Sequence, residues 1–167
     1  MSHLDHKAQA PASTRCYVLT ISDTRTEATD TSGTVISELL RADGHQVAGR
    51  QIIRDEPAEV SAVIARQLSN PDVQVIIATG GTGISSRDST HEAIQALLEK
   101  QLDGFGELFH MLSYHEIGSA AIMSRACAGT SKGKIVVSLP GSENAVRLAM
   151  TKLILPELGH MVREVTR

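Results

Sequence analysis

Apolar and polar positions along this 167-residue chain alternate between two periods. "CYVLTIS" (16–22) and "VQVIIAT" (73–79) are short apolar runs rich in β-branched residues, the pattern of strands buried on both faces. Between them Val35, Ile36, Leu39 and Leu40 fall on one helical face, with Gly44 placed as a stop. "HQVAGRQII" (45–53) reads as a second, weaker strand. Pro57 then stands where a first-turn proline is tolerated. Val60, Val63, Ile64 and Leu68 recur at helical intervals until Asn70-Pro71 ends the segment.

In the second half, Ile94, Leu97 and Leu98 share a helical face, as do Phe105, Leu108, Phe109 and Leu112. "SAAIMSRACAGTSKGKIVVSLP" (119–140) accommodates a short strand, a turn near Lys132-Gly133, and a second strand ending at Pro140. A last helix is expected over roughly 143–163, bent or interrupted at Pro156. The order strand, helix, strand, helix, strand predicts a mainly parallel sheet with helices on both faces and right-handed crossovers. Ligands of such sheets bind beyond the carboxyl ends of the strands.

Those ends carry the candidate chemistry. The third strand runs into "TGGTGISSRDST" (79–90), where Gly80, Gly81 and Gly83 let backbone N–H groups approach an anion and a helix beginning near Ser89 adds its positive end. The spacing matches neither a P-loop nor a dinucleotide fingerprint. A tight turn closed by a Ser89/Glu92 capping box explains the glycines equally well. Asp88 favours a ligand, because a carboxylate beside a phosphate cradle can hold the Mg²⁺ of a nucleotide. The other strand exits supply company. Asp55 follows the second strand, Ser22, Asp23, Thr24, Asp30 and Ser32 the first, and Ser142 and Asn144 the last, with Asp30 and Glu56 favoured as helix caps.

Length and composition narrow the setting. A chain of 167 residues, 41% hydrophobic, suits one core. Residues 1–14 read as a flexible arm and 15–167 as a single domain. A net charge of −3 without like-charge blocks argues against nucleic acid or an anionic membrane as partner, and no apolar run approaches the ~18 residues that span a bilayer. Cys16 and Cys127 lie in small or apolar runs and read as buried thiols of a cytoplasmic protein. His110 and His115, five apart, do not stack on one helical face, so the histidines predict no competing metal site.

"TGGTGISSRD", "GFGELFHMLSYHEIGSAAIMSRACAG" and "LPGSENAV", with "SDTRTEATDTSG" upstream, resemble the MoaB and MogA molybdenum cofactor biosynthesis proteins, the molybdopterin adenylyltransferase group, and particularly the MoaB branch. The resemblance covers nearly all of the chain after about Thr14. It implies a three-layer αβα sandwich with one antiparallel strand, assembled as a homo-oligomer, either trimer or hexamer. It also implies Mg²⁺-dependent transfer of AMP from ATP to the terminal phosphate of molybdopterin, with release of pyrophosphate. By position, Asp55 and Asp88 resemble the catalytic and Mg²⁺-binding acids, and Gly80, Gly81, Thr82 and Gly83 the phosphate-contacting loop. Ser22, Asp23, Glu107, Ser113, Ser124 and Arg125 resemble residues around the pterin and its phosphate. Pro140, Gly141 and Ser142 resemble a nucleotide-side loop. Two other roles fit the same fold. One is a non-catalytic molybdopterin-binding carrier; the other is an interaction protein acting through the helical faces near 105–117.

Overall fold

The protein, described here by a computed structural model for residues 2–167, is built on a six-stranded sheet. Its strands are β1 (Arg15–Ile21), β2 (Gln46–Ile53), β3 (Val75–Thr79), β4 (Lys100–Gln101), β5 (Cys127–Ser131) and β6 (Lys134–Leu139), in the order β2-β1-β3-β6-β5-β4. The pairs β1/β2, β1/β3 and β3/β6 are parallel. Strand β5 runs antiparallel to both its neighbours, so one strand is reversed, as expected. That reversal takes a two-residue turn in which Lys132 (φ 50°) and Gly133 (φ 73°) both adopt left-handed backbone, the geometry a tight hairpin requires.

The helices are α1 (His3–Ala8), α2 (Thr31–Ala42), α3 (Pro57–Leu68), α4 (Thr90–Leu97), α5 (Asp103–Ile117), α6 (Glu143–Ala149) and α7 (Leu155–Thr166). The continuous apolar runs feed two cores through the pleat. Val18, Val75, Ile77, Ile135 and Val137 face Ile36 and Leu40 of α2, Phe109 of α5, Val146 of α6 and Leu158 of α7. Leu19, Ile21, Ile76 and Ala78 face Val60 and Ile64 of α3 and Ile94 of α4. Alternate residues of one strand therefore serve opposite layers.

Several expectations are corrected. The last helix is interrupted as anticipated, but by a π-helical turn over Met150–Ile154 that precedes Pro156. A proline lacks the amide that the preceding turn would accept, and a widened turn removes the conflict with little change in direction. Leu108 does not join the core face of α5: it is 47% exposed while Phe109 is fully buried. The Ser89/Glu92 capping box does not form; Ser89 makes no cap hydrogen bond and Glu92 is drawn away to Arg125. The segment expected as a flexible arm contains α1, capped by Ser2 and tied to α7 through Lys7 Nζ and Glu157 Oε1 (2.6 Å). Periodicity gave no sign of it, because a helix without buried residues carries no apolar face to read.

Asp30 is the cap expected from its position, and it does more. Oδ1 accepts the Gly33 amide (3.0 Å), while Oδ2 accepts Thr20 Oγ1 and Arg50 Nη2 (both 2.8 Å), joining α2, β1 and β2 at a carboxylate only 1% exposed. Burial alone would push this acid up; Arg50, the Gly33 amide and Thr20 outweigh it and hold it below the ordinary carboxylate range. The stabilisation is therefore complete above about pH 4 and is lost as the pH falls through the lowered value. Asp30→Ala is expected to cost about 3 kcal/mol at neutral pH and to flatten the acid limb of a stability-against-pH curve measured by urea melts.

Candidate functional site

Parallel register brings four strand ends to one edge. Ile21 is level with Ile53, Thr20 with Thr79, and Thr79 with Leu139. The chain leaves β1 for β2 on one side and then crosses to β3 on the other, so the gap between the ends of β1 and β3 is the topological switch point. A cleft of about 610 Å³ opens there, lined from all four exits by residues including Ser22, Asp23, Asp55, Gly80, Thr82 and Ser142. Gly81, Gly83 and Gly141 line it too.

The glycine loop is shaped by close backbone approach. Gly80 (φ 99°) and Gly81 (φ 68°) are consecutive left-handed residues. A Cβ on Gly81 would meet Thr90 Cβ at 2.6 Å, and one on Gly83 would meet Asp88 Oδ2 at 2.5 Å. The Gly80 amide is used by the sheet, donating to the Leu139 carbonyl (2.9 Å). The amides of Gly81, Thr82 and Gly83 have no protein partner among the described residues. Gly81 is half-buried, Thr82 buried and Gly83 exposed, and all three line the cleft, so the loop presents successive amides with no protein acceptor at its wall, the kind of feature that suits an anion. The tight turn and the amides without protein acceptors thus occur in one loop.

Arg125 holds that loop from outside the cleft. Its guanidinium donates to the carbonyls of Thr82 (3.1 Å), Gly83 (2.5 Å) and Asp88 (3.3 Å) and pairs with Glu92. With those carbonyls occupied, the loop is fixed with its amides unspent. Arg87 donates to Asp23 Oδ2 (2.7 Å) and Glu56 Oε1 (3.4 Å), clamping the first and second exits. Its hydrogen bond, with the Asp55 amide, holds the Asp23 carboxyl below its usual value. Arg25, the one cationic residue lining the cleft, donates to Thr29 O and Thr31 Oγ1.

The two acids singled out in the sequence occupy different settings. Asp55 lines the cleft; Thr90 Oγ1 donates to its Oδ1 (2.5 Å), leaving Oδ2 without a protein partner among the described residues. Asp88 does not line the cleft. Its Oδ2 accepts the hydroxyl (2.6 Å) and amide (2.9 Å) of Ser85, and those bonds hold its carboxyl below the usual range. Asp88 thereby closes the loop from Ser85, next to Gly83. Hard carboxylate oxygens from Asp55, Asp23 and Asp88 suit Mg²⁺ in chemistry; Asp55 and Asp23 line the cleft, and Oδ2 of Asp55 has no protein partner among the described residues.

Pro140, Ser113 and Ser124 line a smaller cavity of about 190 Å³, and Ser142 lines both spaces, so they adjoin. His110 Nε2 lies 2.6 Å from the Ser124 carbonyl oxygen and fixes the end of that segment. Glu107 is exposed on α5 and lines neither space. Thr90 was missed by sequence reasoning. A threonine inside a helix start carries no local mark of a partner 35 residues away.

A family profile described as "probable molybdopterin binding domain" matches residues 17–160. Molybdenum cofactor biosynthesis protein B of Bacillus cereus is 52% identical over all of this chain and 99% of its own, and that of Bacillus subtilis is 49% identical over the same shares. Among solved structures, a molybdenum cofactor biosynthesis protein B covers 94% of this chain and 98% of its own with a TM-score of 0.91 at 52% identity. The tungsten cofactor synthesizing protein MoaB of Pyrococcus furiosus covers 95% and 100% with a TM-score of 0.84 at 36% identity.

Proposed function

The chain belongs to the molybdopterin-binding domain family of molybdenum cofactor biosynthesis proteins, and on that premise we propose that it transfers AMP from ATP to the terminal phosphate of molybdopterin. The observation that carries this reading is the row of unpaired amides at Gly81, Thr82 and Gly83 beside the Asp55 carboxylate. Amides invite a polyanion and the carboxylate repels one, so a site with both suits a phosphate chain that arrives with its own divalent cation. Arg87 and Arg125 are already paired with acids and Arg25 is tied to Thr29 O and Thr31 Oγ1, which strengthens that requirement.

In the proposed reaction an oxygen of the pterin phosphate attacks the α-phosphorus of ATP, the bond to the β-phosphate oxygen breaks, and pyrophosphate leaves. The nucleophile is already an anion, so no strong general base is needed. This chain's residues position the two polyanions. The loop amides hold phosphate oxygens, and Ser142 lies where the cleft meets the smaller cavity of Ser113 and Ser124, the side we assign to the pterin. Asp55 and Asp23 hold Mg²⁺ through carboxylate oxygens, and Mg²⁺ when bound supplies charge neutralisation along the phosphate chain. Asp88 acts by holding Ser85 and the loop.

The test mixes purified protein with molybdopterin and Mg-ATP and looks for adenylylated pterin and pyrophosphate. Product above a no-enzyme control supports transfer. Bound pterin without product establishes instead the carrier reading, which one observation favours: only one of the two acids singled out, Asp55, lines the cleft.

We also propose a homo-oligomer, trimer or hexamer. On α5 and the 3₁₀ turn that follows, Met111, Tyr114, Ile117 and Ile122 are 51–85% exposed, and clustered exposed apolar side chains of this kind mark association surfaces. Met111→Glu combined with Ile122→Glu is expected to lower the mass measured by light scattering to that of one chain. A monomeric wild-type protein at micromolar concentration would defeat the proposal.

A further inference from the structure

A second group of chemically active side chains lies at the other end of the sheet. The cleft is formed where β6 ends, whereas His160 and Glu164 line a separate pocket of about 450 Å³ beside Gly133 and Ile135, where β6 begins. There α1 docks on α7, and His6 is brought to His160 and Glu164. His6 Nδ1 is 3.0 Å from Glu164 Oε1, and His160 Nε2 is 4.0 Å from the same oxygen. One ligand atom from each residue falls within 4.8 Å of the other two. Donors around a tetrahedral zinc ion stand about 3.3 Å apart, so side-chain movements of about 1 Å complete the set.

The surroundings suit ligation. His160 Nδ1 is 3.0 Å from Glu157 Oε2, while Lys7 Nζ holds the other oxygen of that acid at 2.6 Å. A carboxylate on one ring nitrogen fixes the proton there and presents the lone pair of the opposite nitrogen, the arrangement that supports histidine ligands at zinc. The side chains of His6, His160 and Glu164 are 20%, 22% and 32% exposed, open enough for entry and sheltered enough to retain an ion. Two cations oppose tight binding. Arg163 Nη1 shares Glu164 Oε1 (2.7 Å) and Arg167 Nη2 holds Oε2 (3.2 Å). Arg163 keeps a second partner in Gln9 Oε1 (2.8 Å) when it yields that oxygen, so micromolar affinity is the range to expect.

We propose that His6, His160 and Glu164 form a binding site for a divalent ion of the zinc class, with water as fourth ligand, that ties α1 to α7. Two imidazoles and one carboxylate favour zinc or cobalt over magnesium, which prefers oxygen alone. The site is independent of the cleft and of the reaction proposed there.

Full-length protein free of any polyhistidine tag is dialysed against Zn²⁺ at pH 7.5 with excess Mg²⁺, and titrated separately with Co²⁺. One Zn²⁺ per chain at micromolar free metal is expected, with the visible absorption of low-symmetry Co²⁺ and slower amide exchange over residues 3–8. His6→Gln and His160→Gln are each expected to weaken binding about 10–100-fold. Both side chains are half-buried and outside the two cores, so circular dichroism should be unchanged. No uptake by the wild type, or uptake by both variants equal to that of the wild type, would overturn the site and leave a hydrogen-bonded contact only.

Discussion

Asp55→Asn should lower adenylyl transfer by about 10²–10³-fold while the melting temperature moves by no more than about 2 °C. The substitution keeps the size of the side chain and an oxygen for Thr90 Oγ1, so the contact between the second strand exit and α4 survives. What it removes is the negative charge of a carboxylate that lines the cleft, and with it the proposed hold on a cation accompanying the phosphates. The loss should fall on kcat more than on pterin affinity, since Ser113 and Ser124, which we assign to the pterin side, line the adjoining cavity. Single-turnover formation of adenylylated pterin, with pterin binding measured by fluorescence, separates the two. A variant that turns over normally would remove Asp55 from the reaction.

Gly80→Ala is expected to cost about 3 kcal/mol in stability, or roughly 6–12 °C in melting temperature for a chain of this length. Two effects add at this position. Its φ of 99° is a conformation that side chains rarely adopt, and a Cβ would run into the Ile21 carbonyl oxygen at the end of β1. Ile21 is paired with Ile53 of β2 and the preceding Thr20 with Thr79 of β3, so that backbone has little room to retreat. Gly133→Ala is the control. It shares a positive φ of 73° but has nothing within 4 Å of its Cβ, so only the conformational cost of about 1 kcal/mol is expected. Equal melting temperatures for the two variants would show that the close approach to β1 contributes nothing.

The sheet and most helices were legible because their residues report on themselves. Runs such as 75–78 are apolar at every position, and only a strand covered on both faces makes use of that. Pro57 and Asp30 mark helix starts through their own geometry. The strand-end rule then placed Asp55, Ser22 and Gly80 on one rim before any contact was known. Reasoning of this kind failed where partners compete. Glu92 has the spacing of a capping box, yet Arg125, 33 residues on, takes it. Asp88 sits in a loop motif suggestive of metal binding, yet Ser85 engages one of its oxygens.

Composition, period and motif order were sufficient for the layered fold, the location of the rim and the resemblance to a cofactor-biosynthesis family. All three depend on interactions of short sequence range or on backbone conformation. Packing alone decided that Arg125 fastens the glycine loop from outside, that Thr90 orients Asp55, and that His6 meets His160 and Glu164 across more than 150 residues. Those choices are made by which side chain reaches a charge first once the layers close, because a charged or polar atom leaving water must find a partner among whatever the fold brings near it.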